Sequence, residues 1–176
     1  NGDIVDFAQI APFEVPRRAH LLWTETASRT KLDTALAAHA AFFERGLKRL
    51  LASGAQVQFL IGNHDLDMVW QGVQAQLRAT LDHDGPRLAF MRGGVDFHGV
   101  HVEHGHAFTP ENCPRDVLDF MLLDPDGTPR LERVWGTDFM LQFYNDLERR
   151  YPFADCVKPM TKVVLHGLRK RWIGAR

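Results

Sequence analysis

The sequence has little cysteine, little net charge and no long apolar run, and each shortage removes a class of protein. Two cysteines, Cys113 and Cys156, in 176 residues make no disulfide framework, and they lack the C-x-x-C spacing of a thiolate metal site. A reducing cytoplasm is therefore the natural setting. A formal charge of -1 removes the overall attraction that draws basic proteins to nucleic acid or anionic membranes, so no nucleic-acid partner is expected. Lys and Arg do outnumber Asp and Glu from Pro129 onward, which leaves a peripheral membrane association as an alternative to the bulk cytoplasm. No apolar stretch approaches the ~20 residues that span a bilayer, and no signal peptide opens the chain, so no transmembrane segment is expected. There is also no initiator Met. The chain opens at Asn1 in what reads as the end of a strand, so further chain is expected before it.

What the sequence does have is apolar material: hydrophobic residues make up 45%, enough for one domain of this length to bury a sizeable core. Asn1 to Val5 reads as a strand end running into a loop, punctuated by Gly2, Asp3, Pro12 and Pro16. From about Ser28 to Leu51, Leu32, Leu36, Ala40, Phe43, Leu47 and Leu50 recur at helical spacing, and Ser53-Gly54 stops the helix. Gln56 to Ile61 is a short strand. This strand–helix–strand opening predicts a βαβ unit with parallel strands. Leu66 to Leu81 reads as a helix, with a turn at Asp84-Gly85-Pro86. Leu88 to Arg92 and Val95 to Glu103 then read as a hairpin turning at Gly93-Gly94. Beyond Pro110 the pattern predicts helices over about 115–122, 133–150 and 158–172, parted by Asp124-Pro125-Asp126-Gly127 and Pro152. The fold class expected is α/β (α+β), with residues 110–176 as a helical insertion or cap within a single domain over 1–176.

Three polar clusters each follow a predicted strand: Gly2-Asp3-Ile4-Val5-Asp6, Gly62-Asn63-His64-Asp65 and Glu103-His104-Gly105-His106. Ligands of open α/β sheets sit outside the carboxyl ends of strands, so three such clusters can meet at one site. Carboxylate, amide oxygen and imidazole form a mixed oxygen and nitrogen set suited to Mn, Fe or Zn. Each signal has a plainer reading. Gly-Asp and His-Gly are common pairs, and only Gly-Asn-His-Asp after an apolar strand is rare. His20, His39, His83 and His166 match no motif and read as surface or partly buried imidazoles. His98 and His104 share a face if Val95 to Glu103 is one strand, and His98 reads as structural. Trp135, Phe139, Phe143 and Tyr144 fall at helical spacing, which favours packing over a ligand pocket.

The order G-D-x-x-D, G-N-H-D and a strand-end His-Gly resembles the signature of calcineurin-like metallophosphoesterases. The region with Trp135-Gly136, Tyr151-Pro152-Phe153-Ala154-Asp155 and Lys158-Pro159 is similar to bacterial members with a helical insertion. The resemblance implies a two-sheet sandwich flanked by helices, truncated at both ends, because the family's D-x-H and G-H-x-H motifs are absent. It implies two divalent metal ions, bridged by Asp3, with Asn63 and His104 on the second. It implies that His64 contacts the phosphoryl or leaving group and that Asp65 orients it, each in a chemically suitable role. His106 is left between a substrate or metal contact and solvent exposure. The function implied is hydrolysis of a phosphate ester or phosphoanhydride, with water made acidic by two cations attacking phosphorus. On that basis these residues alone hold at most one metal and turn over no substrate. The substrate expected is small and phosphorylated. A nucleotide- or lipid-linked one is suggested by the position of the insertion, which resembles the lid of UDP-2,3-diacylglucosamine pyrophosphatases. The alternatives are a nuclease or cyclic-nucleotide phosphodiesterase on the same core, or a scaffold that keeps the fold without catalysis.

Overall fold

The computed structural model describes residues 2–10, 22–156, 158–159, 161–162, 165–166 and 169. Three elements build the first layer. Helix α1 spans Glu25–Ala38, opened by Thr24, whose hydroxyl accepts the N–H of Ala27 at 3.4 Å as N-cap residues do. Its buried face, Ser28, Lys31, Leu32 and Ala35, recurs every three or four residues and turns one stripe to the core. A π-helical stretch, Ala41–Leu47, continues into helix α2, Lys48–Ala52, so the predicted long helix is real but interrupted near His39. Gly54 then takes a left-handed φ of +95°, which ends the helix at the residue type that adopts it without strain.

Strand β1, Val57–Leu60, is followed by a single 3-10 turn, Leu66–Val69, and helix α3, Gln71–Leu81. Strand β2, Leu88–Met91, returns parallel to β1, pairing Val57 with Leu88 and Leu60 with Met91. This is a parallel βαβ unit carried by α3 and its buried Val73, Leu77 and Leu81, one helix later in the chain than expected. The expected unit, from Asn1–Val5 through the helix over about 28–51 to 56–61, is not formed, because residues 2–10 are loop and turn. Phe59 stacks on Phe90 across the pair, ring centroids 5.4 Å apart. The main core joins these elements through Leu32, Phe43, Leu51, Phe59, Met68, Leu77 and Leu88, and reaches out to Val5, Phe7, Phe120 and Leu131.

The chain is thus a mixture of helices and small sheets, the α/β class that the sequence predicts, and several finer expectations change. The hairpin does not turn at Gly93-Gly94. Strands β3, Val95–Phe97, and β4, Val100–Val102, are antiparallel, and their turn is His98-Gly99, with φ of +49° and +79°. Positive φ at both positions is the type I′ turn, which matches strand twist in two-residue hairpins, and histidine tolerates that region better than most residues. His98 therefore sits at a turn and not on a strand face with His104. The predicted helix at 115–122 is absent. Oδ1 of Asp116 accepts the N–H groups of Leu118 and Asp119, and Asp119 accepts that of Met121, so side chains take the backbone donors that a helix would need. Strands β5, Met121–Leu123, and β6, Pro129–Leu131, form an antiparallel pair instead.

Helix α4, Trp135–Phe139, runs through a π-helical stretch, Met140–Tyr144, into helix α5, Asn145–Arg150. The predicted helix at 158–172 lies mostly outside the described residues, of which 161–162, 165–166 and 169 are helical. Residues 2–10 are loop and turn and not a strand end; Asn1, Pro12 and Pro16 lie outside the described residues. Among the described residues the sheets are three separate two-stranded pairs, β1 with β2, β3 with β4 and β5 with β6. No helix among the described residues is long and apolar enough to cross a membrane.

Candidate metal centre

The three polar clusters meet because two glycines let their chains touch. A Cβ on Gly62 would stand 2.3 Å from Oδ1 of Asp3 and 2.9 Å from its backbone nitrogen. A Cβ on Gly2 would stand 2.2 Å from Nδ1 of His104. Any other residue at either position forces backbone or imidazole aside. Asp3 itself has a φ of +51°, a conformation costing roughly 1–3 kcal/mol that persists only where surroundings impose it. Here the imposition is visible: Oδ1 of Asp3 accepts the N–H of His64 at 2.9 Å.

Nε2 of His104 lies 3.1 Å from Oδ2 of Asp3 and 3.1 Å from Oδ1 of Asn63. Donors around one cation at metal–ligand distances of about 2.1 Å stand roughly 3.0–3.4 Å apart. The two distances from Nε2 of His104 fit that figure. With its proton on Nε2 the imidazole donates to these oxygens; with the proton on Nδ1, the same lone pair faces a cation. Asn63 is buried, and its amide oxygen is a neutral hard donor between a carboxylate and an imidazole. Among the described residues no three His, Cys, Asp or Glu side chains form a metal-sized group. The site is one carboxylate, one imidazole and one amide, and further carboxylate or imidazole donors for a second cation are not found there.

His64 stands beside this cluster, and its partner corrects the expectation. Nδ1 of His64 is 2.7 Å from Oδ2 of Asp6, the second acid of the G-D-x-x-D cluster. Asp6 is held in turn, its Oδ1 accepting the N–H of Ala8 at 3.1 Å, while the N–H of Phe7 donates to the carbonyl of His64 at 3.0 Å. The hydrogen bond to Asp6 raises the pKa of His64 against the opposing effect of burial. Asp65 does not orient His64. Its side chain is fully buried and accepts the N–H groups of Gly62 at 2.5 Å and Ile4 at 2.9 Å, so it ties the two loops together. Burial pushes its carboxyl up to about 6, against the lowering by those N–H groups. The G-D-x-x-D spacing carried the signal for Asp6, and only the loop path could choose between two nearby acids.

His106 is buried and its ring centroid is 5.4 Å from that of His104. Desolvation lowers its pKa, and the neighbouring His104 adds to this. Asp3 and Asp6 also border a cleft of about 550 Å³ whose lining mixes apolar residues such as Ile4, Ile10, Ala38 and Phe42 with the polar Gln9, Thr34 and His39. The loop carrying Asp6 is gripped from the far side by α5. Nδ2 of Asn145 donates to the carbonyl of Ala8 at 2.9 Å, and Nε2 of Gln9 donates to Glu148 at 2.6 Å. Set against protein-family models, curated proteins and solved structures, the chain matches none of them.

Proposed function

We propose that this chain is the core of a divalent-metal-dependent phosphoesterase, hydrolysing a phosphate ester or phosphoanhydride. The observation that carries the reading is that Nε2 of His104 stands 3.1 Å from both Oδ2 of Asp3 and Oδ1 of Asn63, beside the hydrogen-bonded pair His64 and Asp6. Asp3, Asn63 and His104 are the residues that would hold the cation, Mn, Fe or Zn. Such an ion lowers the pKa of water and neutralises charge on phosphoryl oxygens. A second cation shared through Asp3 is part of the proposal and requires donors beyond these three.

The chain's own groups have distinct tasks. Asp3 offers Oδ2 to the site while the N–H of His64 holds Oδ1. His64 keeps both ring nitrogens protonated to higher pH than an ordinary imidazole, because Asp6 accepts from Nδ1. Its other nitrogen is then a donor for a leaving-group oxygen or for charge developing on the phosphoryl group. Asp65 fixes the spacing of the two loops. A small phosphorylated substrate, nucleotide- or lipid-linked, fits a polar cluster whose Asp3 and Asp6 border a cleft of mixed apolar and polar lining. The reading carries with it the two-sheet sandwich and a cytoplasmic setting, to which the free thiols of Cys113 and Cys156 are suited.

The test separates ligand from proton donor. Asn63→Ala is expected to lose bound Mn²⁺, and His64→Ala to keep it while lowering turnover of an aryl phosphodiester about a hundredfold or more. Unchanged Mn²⁺ content in Asn63→Ala would end the ligand assignment.

A further inference from the structure

We infer that His106 contacts the phosphoryl oxygens of the bound substrate at the Asp3–Asn63–His104 site, a statement that rests on the metal-site reading above. Only 8% of His106 is exposed, and neither Nδ1 nor Nε2 has a hydrogen-bond partner among the described residues. A buried polar nitrogen left without a partner costs about 1–3 kcal/mol, so buried imidazoles ordinarily acquire partners. The neighbouring histidines have theirs: His64 with Asp6, His101 with Asp96, and His104 with Asp3 and Asn63.

The place of His106 says what the missing partner is. Its ring stands 5.4 Å from the ring of His104, tilted by 42°, so it lies one side chain away from the donor set. It is outside that set, since no third imidazole or carboxylate groups with Asp3 and His104 among the described residues. With its ring beside that of His104, the partner that His106 would find at this site is the group that the cation binds. For a phosphoryl group that means the oxygens not engaged by the metal, which are strong acceptors. Imidazole has at least one N–H in either protonation state, so the contact requires no titration. The backbone is built to deliver the ring there: Gly105 has a φ of +90° with open space around it, so glycine is used for its conformation, and the 3-10 turn His106–Phe108 follows at once.

The probes are Mn²⁺ and inorganic phosphate, titrated calorimetrically into the parent chain, His106→Phe and His106→Gln, with thermal melts to establish folding. Phe fills the buried space without nitrogens, and Gln restores an N–H donor. Expected are Mn²⁺ affinities within about twofold of the parent and phosphate binding to the Mn²⁺-loaded chain weakened about tenfold in His106→Phe, with partial recovery in His106→Gln. If Phe disturbs folding, His106→Gln against His106→Ala gives the same comparison. Equal phosphate affinity in parent and variants overturns the inference. Loss of Mn²⁺ binding in a folded His106 variant also overturns it, by making His106 a metal ligand. A parent that binds Mn²⁺ but no phosphate sinks the His106 contact alone, and a parent that binds no Mn²⁺ sinks the metal-site reading and His106 with it.

Discussion

The ring of His64 is held by Asp6 and not by Asp65, its neighbour in the chain. Nδ1 lies 2.7 Å from Oδ2 of Asp6, whereas the oxygens of Asp65 accept the backbone N–H groups of Gly62 and Ile4. Two acids of the same type in adjacent motifs therefore do different work: one tunes an imidazole, the other joins two loops.

The tuning has a sign that titration can read. The hydrogen bond to Asp6 raises His64 above its ordinary value of 6.5. A raised imidazole stabilises the fold most fully below the unfolded value and loses that contribution as pH rises through the folded one. In the metal-free chain, the NMR titration midpoint of His64 is expected above 6.5 and returns toward it in Asp6→Asn. A midpoint that stays put in Asp6→Asn would remove Asp6 from this role.

Asp65 makes a second, lower window. Burial pushes its carboxyl from 3.8 up to about 6, so folding favours the protonated form. Its contribution is fully present below the unfolded value and is lost as pH climbs through about 6. The shift corresponds to at most about 3 kcal/mol. Urea unfolding of the metal-free chain is expected to show stability falling between about pH 4 and pH 6, and Asp65→Asn to flatten that slope. A slope identical in the variant would mean that another group titrates.

Gly62→Ala tests the close approach directly. The new Cβ would stand 2.3 Å from Oδ1 of Asp3, so Asp3 must move away from His104. Mn²⁺ affinity is expected to fall by tenfold or more, which is about 1.4 kcal/mol, with the helical circular dichroism retained because α1 and α3 are not involved. Wild-type Mn²⁺ affinity in this variant would contradict the geometry of the Gly62–Asp3 contact.

Much of the site was legible before the structure. The clusters Gly2-Asp3, Gly62-Asn63-His64-Asp65 and Glu103-His104 read as one site because each was placed at a predicted strand end, and the structure sets Asp3 and Asn63 each 3.1 Å from His104, although residues 2–10 are loop. Helix α3 was legible because the residues that it buries, Val73, Leu77 and Leu81, recur every four positions. The parallel βαβ unit was expected one helix earlier, and only the pairing of β2 with β1 placed it around α3. Less was legible where side chains compete with backbone. Arg115 to Leu122 has apolar residues at near-helical spacing, yet Asp116 and Asp119 capture the N–H groups. Both Gly93-Gly94 and His98-Gly99 are plausible turns, and the parallel pairing of β2 with β1 left the second to close the hairpin.

By itself the sequence determined the chemistry available: which residues carry carboxylate, amide and imidazole, where apolar periodicity demands helix or strand, and where glycine permits close approach. These are local properties, decided by side-chain type and spacing. Only the tertiary structure decided which acid meets His64, that the nitrogens of His106 have no partner among the described residues, and that Gly2 and Gly62 are spaces filled by His104 and Asp3. Those outcomes depend on contacts between residues dozens of positions apart, where burial of Val5 and Phe7 in the common core sets the path of the loop that carries Asp3 and Asp6.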